Sequence, residues 1–583
     1  MNRGRLISAV LFLGTLCGFN SGALQAQSPY DPMYADEADK IREHIQLFTD
    51  RNLYVVNESI HFMAEHRVEG PVESSLWSSV LYLELVAPTG IPVAQGKYLI
   101  LAGRAQGTLN IPEAALSGNY HLKCYSRWMR NQGPSSYSYT PVKIVNPFRS
   151  EVVVPAGGSQ ASPELSRVPY KEMGMECVTS SGVYGAGEEV KLQLGGTLLP
   201  NLEELRGCLT VIPAGAIDLD GGQYINSSGQ AAQDPFRVSF LPDLGSGVSV
   251  SGTVVDARQE PVVSATLHFS LLGDSPDYFA AISDENGKFI FSTPAAVGQQ
   301  ELFVTPQPVN GSTLEVRIDQ EYDARVASLP GEKFQLNGNE EVLAQRMVLN
   351  MQLAREFRIP ARAQESVKSD TRTDSNIPFY GTRVKQLRID DYVRLPNLEE
   401  VFINLIPEVQ FYRKRGENRI RILSDNSSIT VYDPLIMIDH ISVFDHEAIL
   451  ALSPDRIERI DLINEVYLKG NVAFGGILSI HSRNGDMAGI DLPEGSYFFD
   501  YESFYPREPQ TAELTRDQVS QNQGRIPDTR NTIYWEDHLL LKKGESLEIP
   551  FKAPEIAGEY VILFRGTDPE GEVLSAMARF RVE

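Results

Sequence analysis

Cysteine is scarce: the 583 residues carry 4, and one of these, Cys17, falls within the first twenty. The other three, Cys124, Cys177 and Cys208, are an odd number, and Cys177 and Cys208 lie close enough in sequence to pair within one domain in an oxidising compartment. Three cysteines make no disulfide framework, so the domains must stand on hydrophobic cores. The 9 histidines are scattered, with no His-Glu-x-x-His helix and no Cys/His cluster at zinc spacing. Basic charge is also short: 52 Lys and Arg face 76 Asp and Glu, a formal net charge of -24 at pH 7. Such a chain repels phosphate backbones and anionic lipid surfaces, which argues against nucleic acid as a partner. A Gly-x-Ser-x-Gly elbow, a phosphate-cradling glycine loop and a Rossmann fingerprint are all missing. Carboxylates are so abundant that chance pairs carry no glycosidase signal. After the first twenty residues no apolar run approaches the roughly 20 residues that a membrane-spanning helix needs.

The residues that are present speak first of the compartment. Arg3 and Arg5 precede an apolar run from Leu6 to Phe19, and small and polar residues come next, from Ser21 to Ala26. This is the layout of a secretory signal peptide over residues 1–26, cleaved after Ala26 or Ala23. A lipid anchor at Cys17 is disfavoured, because Leu16 stands where the lipidation signal wants a small residue. The mature chain is expected to be exported, and to reside in the periplasm or in association with the outer membrane. Its length calls for about four or five domains.

From Ile45 onward the chain alternates in short runs punctuated by turns. Leu81, Leu83 and Leu85 alternate with Tyr82 and Glu84 before Pro88-Thr89-Gly90 turns the chain, the spacing of a β-sandwich. Ile45 to Tyr54, containing Thr49-Asp50-Arg51-Asn52-Leu53-Tyr54, runs on into Asn57-Glu58-Ser59-Ile60-His61-Phe62. With Ser117-Gly118-Asn119-Tyr120-His121-Leu122, this resembles the macroglobulin-type domain of the alpha-2-macroglobulin superfamily, over residues 40–147. Val183-Tyr184-Gly185-Ala186-Gly187-Glu188-Glu189-Val190-Lys191-Leu192 repeats the signal and opens a second, weaker macroglobulin- or Ig-like sandwich over 165–240. A third unit, 245–330, carries Ser251-Gly252-Thr253-Val254-Val255-Asp256 and then Ser283-Asp284-Glu285-Asn286-Gly287-Lys288-Phe289, and is similar to a carboxypeptidase regulatory-like domain. Asn286-Gly287 supplies a tight turn there, and Phe289 and Phe291 share one face. Asp284 and Asn286 also admit a calcium reading, but the turn needs no metal, and no terminal acidic ligand stands at loop spacing beyond it.

Residues 339–376 change period. Leu343, Met347, Met351 and Ala354 fall on one helical face with Asn339 as the expected cap, and a polar linker runs from Arg362 to Ser375. Residues 377–486 then alternate helix and strand signals. Asn397 caps a helix whose Glu400 is placed to reach back to it, and Pro434-Leu435-Ile436-Met437-Ile438-Asp439 is a buried strand ending in an acidic turn residue. Ser453-Pro454 opens a short helix over Asp455 to Arg459, and Phe474-Gly475-Gly476-Ile477-Leu478-Ser479-Ile480 closes the unit. These elements resemble the plug domain of TonB-dependent outer-membrane receptors, in the version that accompanies macroglobulin-type domains in the Bacteroidota. The motif residues are Pro434, Asp439, Pro454, Ile457, Gly475 and Gly476; His440 departs from the family, which places glycine after the aspartate. A receptor barrel of about 22 strands, each roughly 10 residues long, cannot be built from the stretch of chain after Asp486. Residues 491–583 instead read as a C-terminal Ig-like sandwich, with Arg530-Asn531-Thr532-Ile533-Tyr534-Trp535 as its signature strand.

The fold expected is therefore mainly β and multi-domain: several Ig/macroglobulin-like sandwiches and one α+β plug-like domain. The Cys-Gly-Glu-Gln thioester of macroglobulins is missing, because the three later cysteines sit in Lys-Cys-Tyr, Glu-Cys-Val and Gly-Cys-Leu. His440, Asp445 and His446 are the nearest approach to a catalytic or metal constellation, but they lie around a loop and helix start, and a solvated loop accounts for them better than a metal or acid/base site does. Trp128 and Trp535 offer flat surfaces for sugars, although packing is the commoner use of tryptophan. No catalytic residue, metal or cofactor is expected. The resemblances imply a non-catalytic envelope scaffold or accessory protein whose partners are other envelope proteins, an outer-membrane barrel among them. The alternative is a glycan- or peptide-binding surface module.

Overall fold

The computed structural model describes residues 35–583 except 72–76, 155–164, 169, 174, 197–202, 219–221, 227–236, 246, 273–275, 295, 310–312, 330–331, 357–377, 382–383, 415, 506–527 and 569. Residues 1–26, expected to be a signal peptide, with Cys17 among them, and the stretch expected to be a polar linker lie outside the described residues. The protein is mainly β and multi-domain, and its chain divides into two compact units. One unit holds Pro29–Gly247, Tyr322–Val367 and Phe504–Glu583, and the other holds Val248–Glu321 and Lys368–Ser503.

In the first unit, Arg42–Thr49, Ser59–Glu69 and Arg104–Asn110 form one antiparallel sheet. A second sheet runs in the order Pro92–Leu99, Val80–Val86, Gly118–Tyr125, Ser138–Val145, and then takes up the short strands Tyr224–Asn226 and Leu165–Arg167. Phe62 meets Tyr98 edge to face at 4.6 Å between the two sheets. Val80–Val86 is buried at every position, and its alternation shows why. Leu81, Leu83 and Leu85 supply apolar core, whereas Glu84 on the other face is ion-paired with buried Lys123 at 2.6 Å and accepts from the Tyr125 hydroxyl at 2.8 Å. That polar face is covered by Tyr322 and Asp323, the latter donating its N–H to the Tyr125 hydroxyl oxygen at 2.8 Å.

The sandwiches expected separately at 165–240 and 491–583 are one. Glu204–Pro213 lies between Tyr534–Lys542 and Gly558–Thr567, and Glu189–Gly195 pairs with Ser546–Lys552. Their shared core joins Val190, Leu192 and Leu209 to Ile549, Tyr560, Ile562 and Phe564. Among the described residues, strands of both segments lie side by side within the same two sheets, so each completes the other. Cys177 and Cys208 do not bond: they are buried free thiols in separate apolar clusters, and Cys124 is likewise buried and free. Burial pushes the Cys177 thiol up to about 12 and the Cys208 thiol up to about 11.

The helix Gly338–Glu356 buries Leu343, Met347 and Met351, as its period requires. Its cap is Asn337 rather than Asn339. Asn337 Oδ1 accepts from the Glu340 N–H at 2.9 Å, while Glu340 Oε2 accepts from the Asn337 N–H at 2.9 Å, a reciprocal capping box.

The second unit begins with a sandwich of two sheets. One is Lys288–Ser292, Ser249–Val255 and Glu315–Ile318, and the other is Asp277–Ile282, Thr266–Leu272, Gln299–Pro306 and Tyr497–Glu502. The last strand was expected in the C-terminal sandwich, but it pairs instead with Gln299–Pro306. Asp284 Oδ1 accepts from the N–H groups of Asn286 and Lys288, each at 2.8 Å, so this carboxylate closes its own turn. The rest of the unit is α+β. A five-stranded mixed sheet runs Lys385–Arg388, Ile457–Ile463, Ile477–Ser482, Leu435–Ile438, Ile441–Ser442, with helices Leu398–Leu405 and His446–Leu450 beside it. A two-stranded ribbon, Val409–Lys414 and Glu417–Ile422, stands apart from that sheet. Asn397 Oδ1 caps the first helix by accepting from the Glu400 N–H at 3.0 Å; the Glu400 side chain does not close the box but accepts from Asn404 Nδ2 at 3.1 Å. The helix expected over Asp455 to Arg459 shrinks to a 3-10 turn, Pro454–Arg456, because Ile457–Ile463 enters the sheet.

Candidate functional site

The six motif residues fall at the two ends of one parallel strand pair, Leu435–Ile438 beside Ile477–Ser482. At the entry end, Pro434 precedes Leu435, whose N–H donates to Gly476 O at 3.0 Å, and the Gly475 N–H donates to Asp433 O at 2.9 Å. At the exit end stand Asp439, Pro454 and buried Ile457, which lies opposite Ser482.

Asp439 and His440 are the two central residues of a hairpin turn, with Ile438 opposite Ile441. Their φ values, +47° and +70°, make it a turn with both centres left-handed, the geometry that favours Asn-Gly and Asp-Gly. The Asp439 carboxylate is fully engaged. Oδ1 accepts from the Ser482 N–H at 2.8 Å, and Oδ2 accepts from Ser482 Oγ at 2.6 Å and from the Met487 N–H at 2.9 Å. It thereby holds the loop that continues through Met487, Ala488 and Gly489, three successive left-handed residues at φ +57°, +53° and +77°. His440 packs edge to face on His481 at 5.4 Å. Burial, helped by His481, lowers its imidazole to about 4. A side chain at this φ is strained, so His440→Gly is expected to stabilise the turn by about 0.5–1 kcal/mol, after the lost ring contact is set against the relieved strain. Hydrogen exchange of the Ile436–Ile438 amides should slow by the corresponding factor.

Asp445 and His446 do not join His440 in one centre. Asp445 Oδ1 caps the helix His446–Leu450 by accepting from the Ala448 N–H at 2.9 Å. His446 Nδ1 accepts from the Ile420 N–H at 2.8 Å, and Glu447 Oε1 accepts from the Asn418 N–H at 3.2 Å, so the helix start closes one edge of the ribbon. Close to His440, buried Asp461 gathers the Tyr380 hydroxyl at 2.8 Å, Gln386 Nε2 at 3.0 Å and His481 Nε2 at 3.3 Å. Burial opposes its ionisation, but the bonds from His481, Gln386 and Tyr380 outweigh it and hold the carboxyl at about 2. Trp128 and Trp535 are 2% and 1% exposed, so both serve as core and neither is a sugar platform.

Histidines lowered by burial set a pH dependence, half-buried His44 among them. Burial lowers His121, His268, His440 and His446 to about 4 from an ordinary 6.5. The native protein therefore favours the neutral rings. Their contribution is whole above about pH 6.5, declines as the unfolded chain takes up protons below that, and is fully lost near pH 4. His268, 3% exposed and bonded through Nδ1 to the Tyr278 hydroxyl at 2.6 Å, contributes on the order of 3 kcal/mol to this slope. A denaturant midpoint that falls steadily between pH 6.5 and 4, and falls less in His268→Gln, is the expected result.

Beside the Asp439-anchored loop lies a groove of about 830 Å³ within this unit. Its floor is apolar, with Pro306, Leu314, Val443, Phe444, Leu452 and Ile490, and its rim carries Asp445, Asp491, Glu494 and Arg456. Arg456 is tethered, Nη1 donating to Ala488 O at 2.9 Å, and Gly489 leaves the space through which it passes. Sequence reasoning reaches Asp439 but misses the groove, since three distant segments build it and none carries a local pattern of its own.

No family model matches the chain, and no curated protein matches it. Among solved structures, the chain is similar to Escherichia coli alpha-2-macroglobulin activated by porcine elastase, at 9% identity and a TM-score of 0.22, over 93% of this chain and 44% of that one. Salmonella alpha-2-macroglobulin reacted with methylamine aligns at 10% identity and a TM-score of 0.22, over 93% and 39%. The Yersinia pseudotuberculosis adhesin InvE aligns at 13% identity and a TM-score of 0.12, over 47% and 57%. The chain spans less than half the length of these macroglobulins.

Proposed function

We propose that the protein is a non-catalytic scaffold of the cell envelope that docks other envelope proteins, an outer-membrane barrel among them, through its α+β plug-like unit. The groove carries this reading: its apolar residues offer a protein segment surface to bury, and the charged residues around them offer it polar contacts at the rim. The engagement of Asp445 and His446 with backbone N–H groups supports the non-catalytic part, because both are spent on structure. The secretory layout of residues 1–26 supports the compartment.

A photocrosslinking residue in place of Leu492, on the groove and 44% exposed, tests the proposal in native cells. Val183, 48% exposed in the other unit, is the matched control. One discrete protein adduct from position 492 and none from 183 is expected. No adduct from either position, or the same adducts from both, overturns the docking reading.

A further inference from the structure

We infer that the outer edge of Val409–Lys414 is a β-augmentation site for an extended acidic segment of a partner protein. The inference rests on the scaffold reading and names the edge and the partner chemistry. The two edges of the ribbon differ. On Glu417–Ile422 the outward N–H groups of Asn418 and Ile420 are occupied by Glu447 and His446. Asn418 lies opposite Arg413 and Ile420 opposite Phe411, so by the antiparallel alternation Phe411 and Arg413 also turn their N–H and C=O groups outward, away from the ribbon. The Leu423 N–H bonding to Glu408 O and the Val409 N–H bonding to Ile406 O fit the same register. Among the described residues no strand pairs with that edge.

The charge on the ribbon selects what can add there. In a chain of net charge -24, the ribbon presents Arg413, Lys414, Arg419 and Arg421. Arg413, Lys414 and Arg421 are exposed, and Arg413 and Lys414 have no ion pair among the described residues. Arg419 is paired with Glu417 at 2.8 Å; Arg421 donates to Gln410 Oε1 at 3.2 Å and lies over the Tyr412 ring at 5.6 Å. Cations beside an open edge repel a second copy of the same ribbon and favour a strand of glutamates and aspartates, whose main chain would bond to Phe411 and Arg413 while its side chains meet the cations.

The test uses the full chain and a fluorescent eight-residue peptide of alternating glutamate and valine, read by polarisation at low salt. Saturable binding is expected, with none for the peptide in which lysine replaces glutamate. Arg413→Pro removes an outward N–H without taking a bond from the ribbon, and should weaken binding about tenfold or more. Lys414→Glu with Arg421→Glu should do the same without touching the main chain, and so covers a failure of Arg413→Pro to fold. Unchanged hydrogen exchange at Leu435–Ile438 certifies each variant. Equal binding by the wild type and a folded Arg413→Pro would overturn the strand-addition model. So would absence of binding, or binding only to vesicles of phosphatidylglycerol. Because Leu492 lines the groove and not the ribbon, an adduct at 492 together with no peptide binding would sink this inference and leave the scaffold reading standing.

Discussion

Arg51→Ala is expected to destabilise its unit by about 3–5 kcal/mol, the loss found when one partner of a buried charge network is removed. Arg51 is 3% exposed. Its Nη1 and Nη2 grip Glu58 at 3.1 and 2.9 Å, and its Nε meets Asp50 Oδ2 at 3.2 Å and Thr532 Oγ1 at 3.1 Å. Burial alone would weaken the guanidinium's hold on its proton, but Glu58 and Asp50 more than reverse that. Alanine would leave both carboxylates facing each other without a cation. The loss would spread, since Glu58 Oε1 also accepts from Asn531 Nδ2 at 2.6 Å and Asn531 Oδ1 accepts from Asn350 Nδ2 at 2.8 Å. One knot thus ties the first sandwich to the second and to the helix Gly338–Glu356. Hydrogen exchange should quicken in all three, and the denaturant midpoint of that unit should fall. Arg51→Lys keeps the charge but loses the two-pronged grip, and should fall between. Arg51→Met combined with Asp50→Asn and Glu58→Gln should lose less than Arg51→Ala, because the unpaired charge is gone. An Arg51→Ala midpoint equal to that of the wild type would refute the account.

Thr49-Asp50-Arg51-Asn52-Leu53-Tyr54 and Arg530-Asn531-Thr532-Ile533-Tyr534-Trp535 are both legible in the sequence, but as signatures of separate domains. The structure brings them together: Asp50 and Arg51 bond Thr532, and Glu58 bonds Asn531. Local alternation shows that a strand exists and which face it buries, but it carries no record of the partner strand. That is why the two half-sandwiches read as two domains, and why Tyr497–Glu502 reads as part of the wrong one. Helical period is local, so Leu343, Met347 and Met351 are readable. The cap is not, because asparagines stand at both 337 and 339 and only the position of Glu340 decides between them. In the α+β unit the motif residues are readable as a set. Their division between two strand ends, and the groove beside one of those ends, depend on segments around residues 306–314 and 487–494 that have no period at all.

Gly475→Ala is expected to destabilise the α+β unit by about 3 kcal/mol, at the upper end of what forced overpacking does. A Cβ at Gly475 would stand 2.2 Å from Tyr432 O and 2.5 Å from Ile429 O, both main-chain atoms that no rotamer change can move aside. Gly476 is held as tightly, at φ +89° with its Cβ position 2.5 Å from Ile463 O. Gly485→Ala separates crowding from backbone strain, because Gly485 sits at φ +66° with nothing within 4 Å of its Cβ position. That variant should lose only about 1 kcal/mol. The consequence of Gly475→Ala should also travel along the strand. Ile477–Ser482 begins at this glycine pair and ends at Ser482, which the Asp439 carboxylate holds together with Met487. A shifted strand start therefore loosens the anchor of the loop that walls the groove. Faster hydrogen exchange is expected at Leu435–Ile438 and at residues 487–494, along with loss of the adduct from position 492. If Gly475→Ala and Gly485→Ala behave alike, the close main-chain approach is not what these glycines are for. If Gly475→Ala loosens the strands but leaves 487–494 unchanged, Asp439 does not link the motif to the groove.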